Sequence, residues 1–535
     1  MPFTSSPEQL QVERAVTVRA AVIGLLDAFG MRTIFGNPGS TELPLFRDFP
    51  ATFRYVLGLQ ESVVVGMADG YAQATRNAAF VNLHSAVGVG HALGNIFTAY
   101  RNQTPLVITA GQQARSILPF EPFLFASQPA ELPKPYVKWA VEPARAEDVP
   151  AAIARAYYMS MQPPRGPTFV SVPVDDWDRR CEPVEPRTVS TAVRGDPALM
   201  TQIADALSVA ERPAFVVGAS VARDGAWDEV IELAERHQAR VWVAPMSARN
   251  SFPENHALFA GFLAANRSNI VAALAGHDLI LVLGAPVFTY HVEGFGPHVP
   301  PLAQLFQITD DPAPVSWTPV GTSVFASLAP AIRELLSGPA PVARSRPAAR
   351  ARIQPLSGSE LTDEYLLQQI AMLRPPGSIV VEEAPSSRGA MHDRLPITDP
   401  DTFYTCASGG LGHGLPAAIG VALGRPDAKV IGLLGDGSSM YSIQGLWTAA
   451  RLKLPMTFVI INNRRYEALL EFGRQFGLPQ VVGTDLPEIN FCELARAQGC
   501  RAIRVDSVTE LDEALKTAFN ASWPTLLEVM VAQRK

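Results

Sequence analysis

One stretch restricts this fold more than any other: GDGSSMYSIQGLWTAARLKLPMTFVIINN, residues 435–463. An apolar strand over 429–434 (KVIGLL) runs into a glycine turn that carries Asp436. A helix-length stretch follows, then a second apolar strand over 456–461 that ends in Asn462 and Asn463. Consecutive strands of a βαβ unit present their C-terminal ends on one edge of a parallel sheet. Asp436 and Asn463 are therefore predicted to converge there as oxygen ligands. One carboxylate and one amide suit Mg²⁺, which keeps room for water and for phosphate oxygens. Gly435 and Gly437 let backbone N–H groups approach a diphosphate near a helix N-terminus, and Ser438 belongs to the same turn. An ordinary βαβ turn is the plainer alternative, but spacing, residue types and strand context agree on the metal and diphosphate.

The chain has 535 residues, enough for about three domains. Hydrophobic residues make up 47% and charged residues 18%, a globular composition. A net charge of −7 offers no basic patch for nucleic acid. No apolar run approaches the ~20 residues that span a bilayer. The opening MPFTSSPEQLQVERAV carries acids and lacks an apolar core, so no secretion signal is expected there. Cys181, Cys406, Cys492 and Cys500 lack metal-ligand spacing and are expected to stay reduced, in a cytoplasm.

The predicted fold class is α/β, with three Rossmann-like domains, each a mainly parallel sheet flanked by helices. The first covers 1–185, with a helix over 17–29 and strands over 33–35, 80–83, 106–110 and 168–172. The central one covers 190–336, with strands over 214–217, 240–243 and 279–283 and a helix over 227–237. A Pro-, Ala-, Arg- and Ser-rich linker occupies 337–359. The last domain covers 360–535 and holds the metal motif. The first and last domains are free to share an architecture without sharing sequence. Neither GVGHALG (88–94) nor GGLGHG (409–414) matches the dinucleotide fingerprint, which argues against a nicotinamide enzyme.

The metal motif is similar to the diphosphate-binding signature of thiamine diphosphate enzymes. IFGNPGSTELPLFRDFPATFRYVLGLQE, FVNLHSAVGVGHALGN, LVITAGQQAR, LPKPYVKWAVEPA, SVPVDDWD, VWVAPMSARNSFP, GHDLILVLGAPVFTYH and CASGGLGHGLPAAIGVALG together resemble the benzoylformate decarboxylase family. The resemblance covers nearly the whole chain. It implies the thiamine diphosphate-binding fold and non-oxidative decarboxylation of an aromatic 2-keto acid, phenylglyoxylate or a close analogue, in mandelate catabolism. The implied cofactors are thiamine diphosphate and Mg²⁺. The implied partners are a small 2-keto acid and further copies of the chain, pairing as a dimer of dimers.

Matched motif by motif, the resemblance makes Glu61 the carboxylate that activates the cofactor from its pyrimidine side, in an apolar setting that lets it share a proton. By position alone Glu61 is equally a helix-start charge following a strand over 55–59. Ser40 would bond the substrate carboxylate, although after Pro-Gly it also reads as a turn serine. His84 would orient the substrate carbonyl and assist proton transfer, and His291 would protonate the product-forming carbon. His237, His256 and His277 are left as structural or surface residues. Leu411 would wedge the cofactor into a bent shape, with Ser386 and Gly409 beside its diphosphate or pyrimidine. The backbone carbonyl of Arg465 would be the third protein oxygen on the metal. Phe123, Leu124, Thr405, Ala468, Leu469 and Phe472 would wall the pocket, a mainly apolar set that suits an aryl group, with the Thr405 hydroxyl available to a ring substituent. Arg464, Arg465 and Glu467 depart from the family pattern and are expected on the rim. A different keto-acid decarboxylase or carboligase remains an alternative, although the adjacent histidine pair of pyruvate-type enzymes is missing. A non-catalytic cofactor-binding protein is the second alternative, and the intact Glu61, Asp436, Asn463 and both histidines argue against it.

Overall fold

In the computed structural model, which describes residues 15–351 and 353–534, three six-stranded sheets follow one another along the chain. The stretch 1–14, on which the reading of no secretion signal partly rests, lies outside the described residues. The first sheet has the spatial order Arg54–Leu57, Thr33–Gly36, Ala79–Leu83, Leu106–Gln112, Pro167–Pro173, Ala140–Val141. The last has the order Phe403–Thr405, Ile379–Glu383, Val430–Gly435, Thr457–Asn462, Thr525–Met530, Arg501–Val505. Counted from each sheet's first strand, both orders are 2-1-3-4-6-5, so the outer domains share one topology. The central sheet differs. It runs Phe259–Phe262, Arg240–Val243, Pro213–Val217, Leu279–Leu283, Gln304–Thr309, Thr322–Phe325, the order 3-2-1-4-5-6. Neighbouring strands in all three sheets are parallel.

Parallel strands covered on both faces read as continuous apolar runs, and Thr457–Asn462 (TFVIIN) is buried at every position. Most expected strands agree with the structure to within one or two residues at each end. The predicted helix at 17–29 is Val18–Ala28, because Thr17 caps it by accepting from the Ala20 N–H at 3.2 Å. Two expectations need correcting. The strand expected over 55–59 is Arg54–Leu57. Gln60 then caps the helix Glu61–Thr75 by accepting from the Val63 N–H at 3.1 Å, so Glu61 opens the helix. The single helix expected after Asp436 is two pieces, Asp436–Ser439 and Gly445–Arg451. The Ser438 and Ser439 hydroxyls both return to the Gly435 carbonyl, at 3.0 and 2.7 Å, and such local bonds compete with helix continuation.

The outer domains are joined by helices Glu61–Thr75 and Gly414–Gly424, whose backbones touch. A Cβ placed on Gly70 would lie 2.1 Å from the Ala417 carbonyl oxygen, and one on Gly420 would lie 1.9 Å from that of Met67. A single apolar cluster runs through both domains, from Val63, Val64 and Met67 to Leu415, Ala418 and Ile419. The central domain has cores of its own. The described part of 337–359 forms no helix or strand, yet it is pinned: Arg344 donates to the carbonyls of Ala210 at 2.6 Å and His237 at 2.9 Å. Among the described residues no helix is long and apolar enough to cross a membrane.

Candidate active site

The register Gly435↔Ile461 sets the two motif strands side by side, so Asp436 and Asn463 emerge together at the C-terminal edge of the last sheet. Asp436 is 5% exposed. Its Oδ1 accepts from the Gly437 N–H and its Oδ2 from the Arg464 N–H, both at 2.7 Å. Burial pushes its pKa up, against these donors. Asn463 Oδ1 accepts from the Arg465 N–H at 3.1 Å. Asn462 instead donates from Nδ2 to Glu528 at 2.9 Å on the other face, as strand alternation requires. The Arg465 carbonyl accepts from the Glu467 N–H at 3.0 Å, which leaves it one lone pair.

A cavity of about 740 Å³ lies in front of this edge. Asp436, Asn463, Arg465, Gly435, Gly437, Ser438, Ser386, Gly409 and Leu411 line it, and so do Ala468, Leu469, Phe472 and His291. His291 arrives from the central domain, and its ring meets the edge of Phe472 at 5.0 Å. Gly437 is required sterically, because a Cβ there would fall 2.2 Å from Tyr466 Cε1. Gly409, with φ +71, has open space where a side chain would be. The Ser438 hydroxyl donates to the Glu383 carbonyl at 2.7 Å. The open space above Gly409, one buried carboxylate and one amide oxygen fit a magnesium diphosphate. Among the described residues no group of three or more His, Cys, Asp or Glu could hold a metal; Mg²⁺ bound by few protein oxygens takes phosphate oxygens and water as its other ligands.

The other candidates lie elsewhere in the chain. Glu61 is 8% exposed, and its setting is not purely apolar as expected. Its Oε2 meets His91 Nδ1 at 3.1 Å and its Oε1 accepts from Asn37 at 3.4 Å. His84 Nδ1 bonds Glu42 Oε2 at 2.8 Å. Glu42 is buried and also accepts from the Gly39 and Gly111 N–H groups at 2.8 and 3.0 Å. Ser40 is exposed beside this cluster. Leu124, with φ +64, accepts from Ser85 Oγ at 2.9 Å through its carbonyl, and Phe123 is 87% exposed. None of Ser40, Glu61, His84, Phe123 and Leu124 lines the 740 Å³ cavity. A single chain carries the candidate site as two separate halves.

Two expectations are corrected here. Thr405 does not line the cavity. It is 3% exposed, donates to Glu382 at 2.7 Å and accepts from Arg388 at 2.8 Å, so its hydroxyl is spent in a buried ion-pair cluster. Burial alone would raise the pKa of Glu382, but Arg388 and Thr405 hold it below the usual range. Glu467 is not on a rim. It is fully buried, gripped by Arg465 at 2.5 Å and Arg474 at 3.2 Å.

Sequence reasoning missed a buried pair between the halves. His413 Nε2 bonds Asp69 Oδ2 at 2.8 Å, with neither side chain more than 1% exposed. Next to it, burial pushes Glu383 up to about 7, although it accepts from the His413 and Gly414 N–H groups at 3.1 and 3.0 Å. A signal existed: Asp69 interrupts the apolar helix SVVVGMADG, and a carboxylate there needs a buried partner. For Glu42 and His91 no sequence signal stands out.

Three family profiles match the chain: "Thiamine pyrophosphate enzyme, N-terminal TPP binding domain" over residues 16–128, "central domain" over 200–335 and "C-terminal TPP binding domain" over 386–529. A benzoylformate decarboxylase of Pseudomonas aeruginosa is 42% identical over 519 residues, covering 96% of this chain and 98% of that protein. An acetolactate synthase of Arthrospira platensis is 26% identical, covering 98% and 96%. Among solved structures, benzoylformate decarboxylase from Polynucleobacter necessarius superimposes with a TM-score of 0.94 at 39% identity, covering 97% of this chain and 99% of its own. A thiamine diphosphate-dependent 4-hydroxybenzoylformate decarboxylase from Rhodococcus jostii gives 0.94 at 38% identity, covering 97% and 100%.

Proposed function

The chain belongs to the thiamine diphosphate-dependent enzymes, in the benzoylformate decarboxylase family, and from that premise we propose that it converts an aromatic 2-keto acid, phenylglyoxylate or a ring-substituted analogue, to an aldehyde and CO₂ without oxidation. One observation carries the reading: the cavity that holds Asp436 and Asn463 at one side also holds His291 and the apolar wall of Ala468, Leu469 and Phe472. Phosphate-bound metal and an aryl group therefore fit one enclosure.

Bound thiamine diphosphate supplies the electron sink for the bond to the departing CO₂. The chain's residues do the rest. Asp436 and Asn463 hold Mg²⁺ through oxygen, with the free lone pair of the Arg465 carbonyl as a third donor. Gly435, Gly437 and Gly409 let backbone amides reach the diphosphate. Leu411 and Ser386, which line the same cavity, would contact the cofactor between its two ends. Glu61 holds a proton against the pyrimidine ring. His84 spends Nδ1 on Glu42 and so presents Nε2 to the substrate carbonyl. Ser40 bonds the substrate carboxylate, Phe123 and Leu124 close the aryl pocket, and His291 delivers the proton that forms the aldehyde.

Because Glu61 and Asp436 belong to separate halves, two copies must pair so that each supplies what the other lacks. Two such dimers form a tetramer with closed symmetry. A cytoplasmic location and a role in mandelate catabolism complete the reading. Incubation with phenylglyoxylate, thiamine diphosphate and Mg²⁺ should yield benzaldehyde and CO₂. No aldehyde above a no-enzyme control, across a panel of ring-substituted phenylglyoxylates, would remove it.

A further inference from the structure

The helix Glu467–Gln475 brings Ala468, Leu469 and Phe472 to the cavity, yet within one chain it has little apolar support. Only Glu467 and Gly473 along it are buried. No residue of this helix belongs to an apolar core among the described residues, whereas the strand Thr457–Asn462 just before it is buried throughout. Its N-terminus has no side-chain cap. Helices draw most of their stability from packing an apolar face, so this one needs another hold.

Charged groups supply it. Arg465 and Arg474 grip Glu467 in the first turn. One turn further on, Glu471 Oε1 accepts from Arg534 Nη1 at 2.9 Å. Arg534 Nη2 donates to Asp363 Oδ2 at 2.7 Å, where the helix Asp363–Leu373 begins. The same Oδ2 accepts from Ser387 Oγ at 2.8 Å, and both Ser386 and Ser387 line the cavity. One guanidinium therefore joins the helix that bears Leu469 and Phe472 to the turn that bears Ser386. The segment that presents Arg534 is itself fixed. Val531 N–H donates to the Asn462 carbonyl at 3.0 Å and Ala532 N–H to that of Leu361 at 2.8 Å. Gln533 Nε2 donates to the Asn463 carbonyl at 2.9 Å, and the Arg534 carbonyl accepts from Arg465 Nη2 at 2.5 Å. A lone exposed ion pair is worth little. Here the Asp363 side chain is only 13% exposed, and the planar fork of arginine engages two carboxylates at once.

We propose that Arg534 is a positioning residue: it clamps the helix Glu467–Gln475 to Asp363 and so fixes the apolar wall that receives the substrate. The substrate part rests on the decarboxylase reading, and the clamp itself does not. The test uses enzyme saturated with thiamine diphosphate and Mg²⁺. Arg534→Met removes the charge and keeps the stem. It should raise KM for phenylglyoxylate ~3- to 10-fold and change kcat less, the pattern of lost uniform binding. Without substrate, amide hydrogen exchange over 467–475 should speed up by a similar factor. Glu471→Gln should act in the same direction, and the double variant should do no more than the larger single one, because both remove one link. If Arg534→Met does not fold, Glu471→Gln, whose side chain is exposed, carries the same comparison. A lower urea midpoint with KM and helix exchange unchanged would make Arg534 a stabilising residue only and overturn the proposal. Unchanged exchange over 467–475, or an unchanged KM in enzyme that makes aldehyde, overturns it too. If the wild type makes no aldehyde from any phenylglyoxylate, the decarboxylase reading falls, and the exchange measurement alone decides the clamp.

Discussion

Asp69→Asn probes the buried ionic contact between the outer domains, whose other ion pair, Arg76–Asp401 at 2.6 Å, is partly exposed. Asp69 is on the helix Glu61–Thr75 and His413 follows the GGLG turn of the last domain. Besides His413 at 2.8 Å, Asp69 accepts from Asn102 Nδ2 at 2.9 Å and Gln73 Nε2 at 2.8 Å. Burial would neutralise both partners, yet each keeps the other charged: Asp69 is held below and His413 above its ordinary range. Removing one member of such a pair costs about 3–5 kcal/mol, because the survivor is left buried and uncompensated. The amide keeps the size and one accepting oxygen but loses the other acceptor, so a cost within this range, at least about 3 kcal/mol, is expected. The pH dependence has a fixed sign. The raised His413 contributes fully below its unfolded pKa of ~6.5, and the contribution falls as pH rises toward the folded value. The lowered Asp69 contributes fully above its unfolded ~3.9, and the contribution falls as pH drops toward the folded value. The wild-type advantage is therefore greatest between about pH 4 and 6.5, and declines above it by at most ~1.4 kcal/mol per pH unit. Urea unfolding of cofactor-free protein, at fixed chain concentration and several pH values, measures it. A penalty below ~1 kcal/mol at pH 6, or one that stays flat from pH 6 to 9, would refute the charged-pair assignment.

Other substitutions probe the remaining links. Gly420→Ala drives a methyl to within 1.9 Å of the Met67 carbonyl, on a backbone that cannot step aside, so it should cost at least ~1–3 kcal/mol; an unchanged urea midpoint would show that the helices are free to separate. Asp436→Ala should abolish calorimetric binding of thiamine diphosphate in the presence of Mg²⁺ while far-UV circular dichroism stays unchanged, and retained binding would displace Asp436 from the metal. Glu61→Gln should slow turnover ~10²–10⁴-fold with the cofactor still bound, and a fully active variant would end its assigned role.

Much of the candidate site could be read from sequence because its information is local. The run from Val430 to Asn463 states its own periodicity, its glycine turn and its ligands. Likewise Ala468, Leu469 and Phe472 recur at helical spacing on Glu467–Gln475, and all three line the cavity. Thr405 was misread because its neighbours in sequence say nothing of Arg388 and Glu382, which claim its hydroxyl from other elements. The charges at Arg465 and Glu467 looked exposed because burial of an ion pair depends on what closes over it, here with Arg474 as a third member.

By itself, then, the sequence determined the α/β class, the strand–turn–strand that presents Asp436 and Asn463, and the glycines their turn requires. These follow from short-range sterics and period, which any window of the chain carries whole. Only the tertiary structure decided that Asn462 is spent on Glu528, that Asp69 meets His413 across 344 residues, and that Glu61 stays apart from Asp436 within one chain. Those outcomes depend on which faces pack together, and packing is a property of contacts between distant segments that no local pattern encodes.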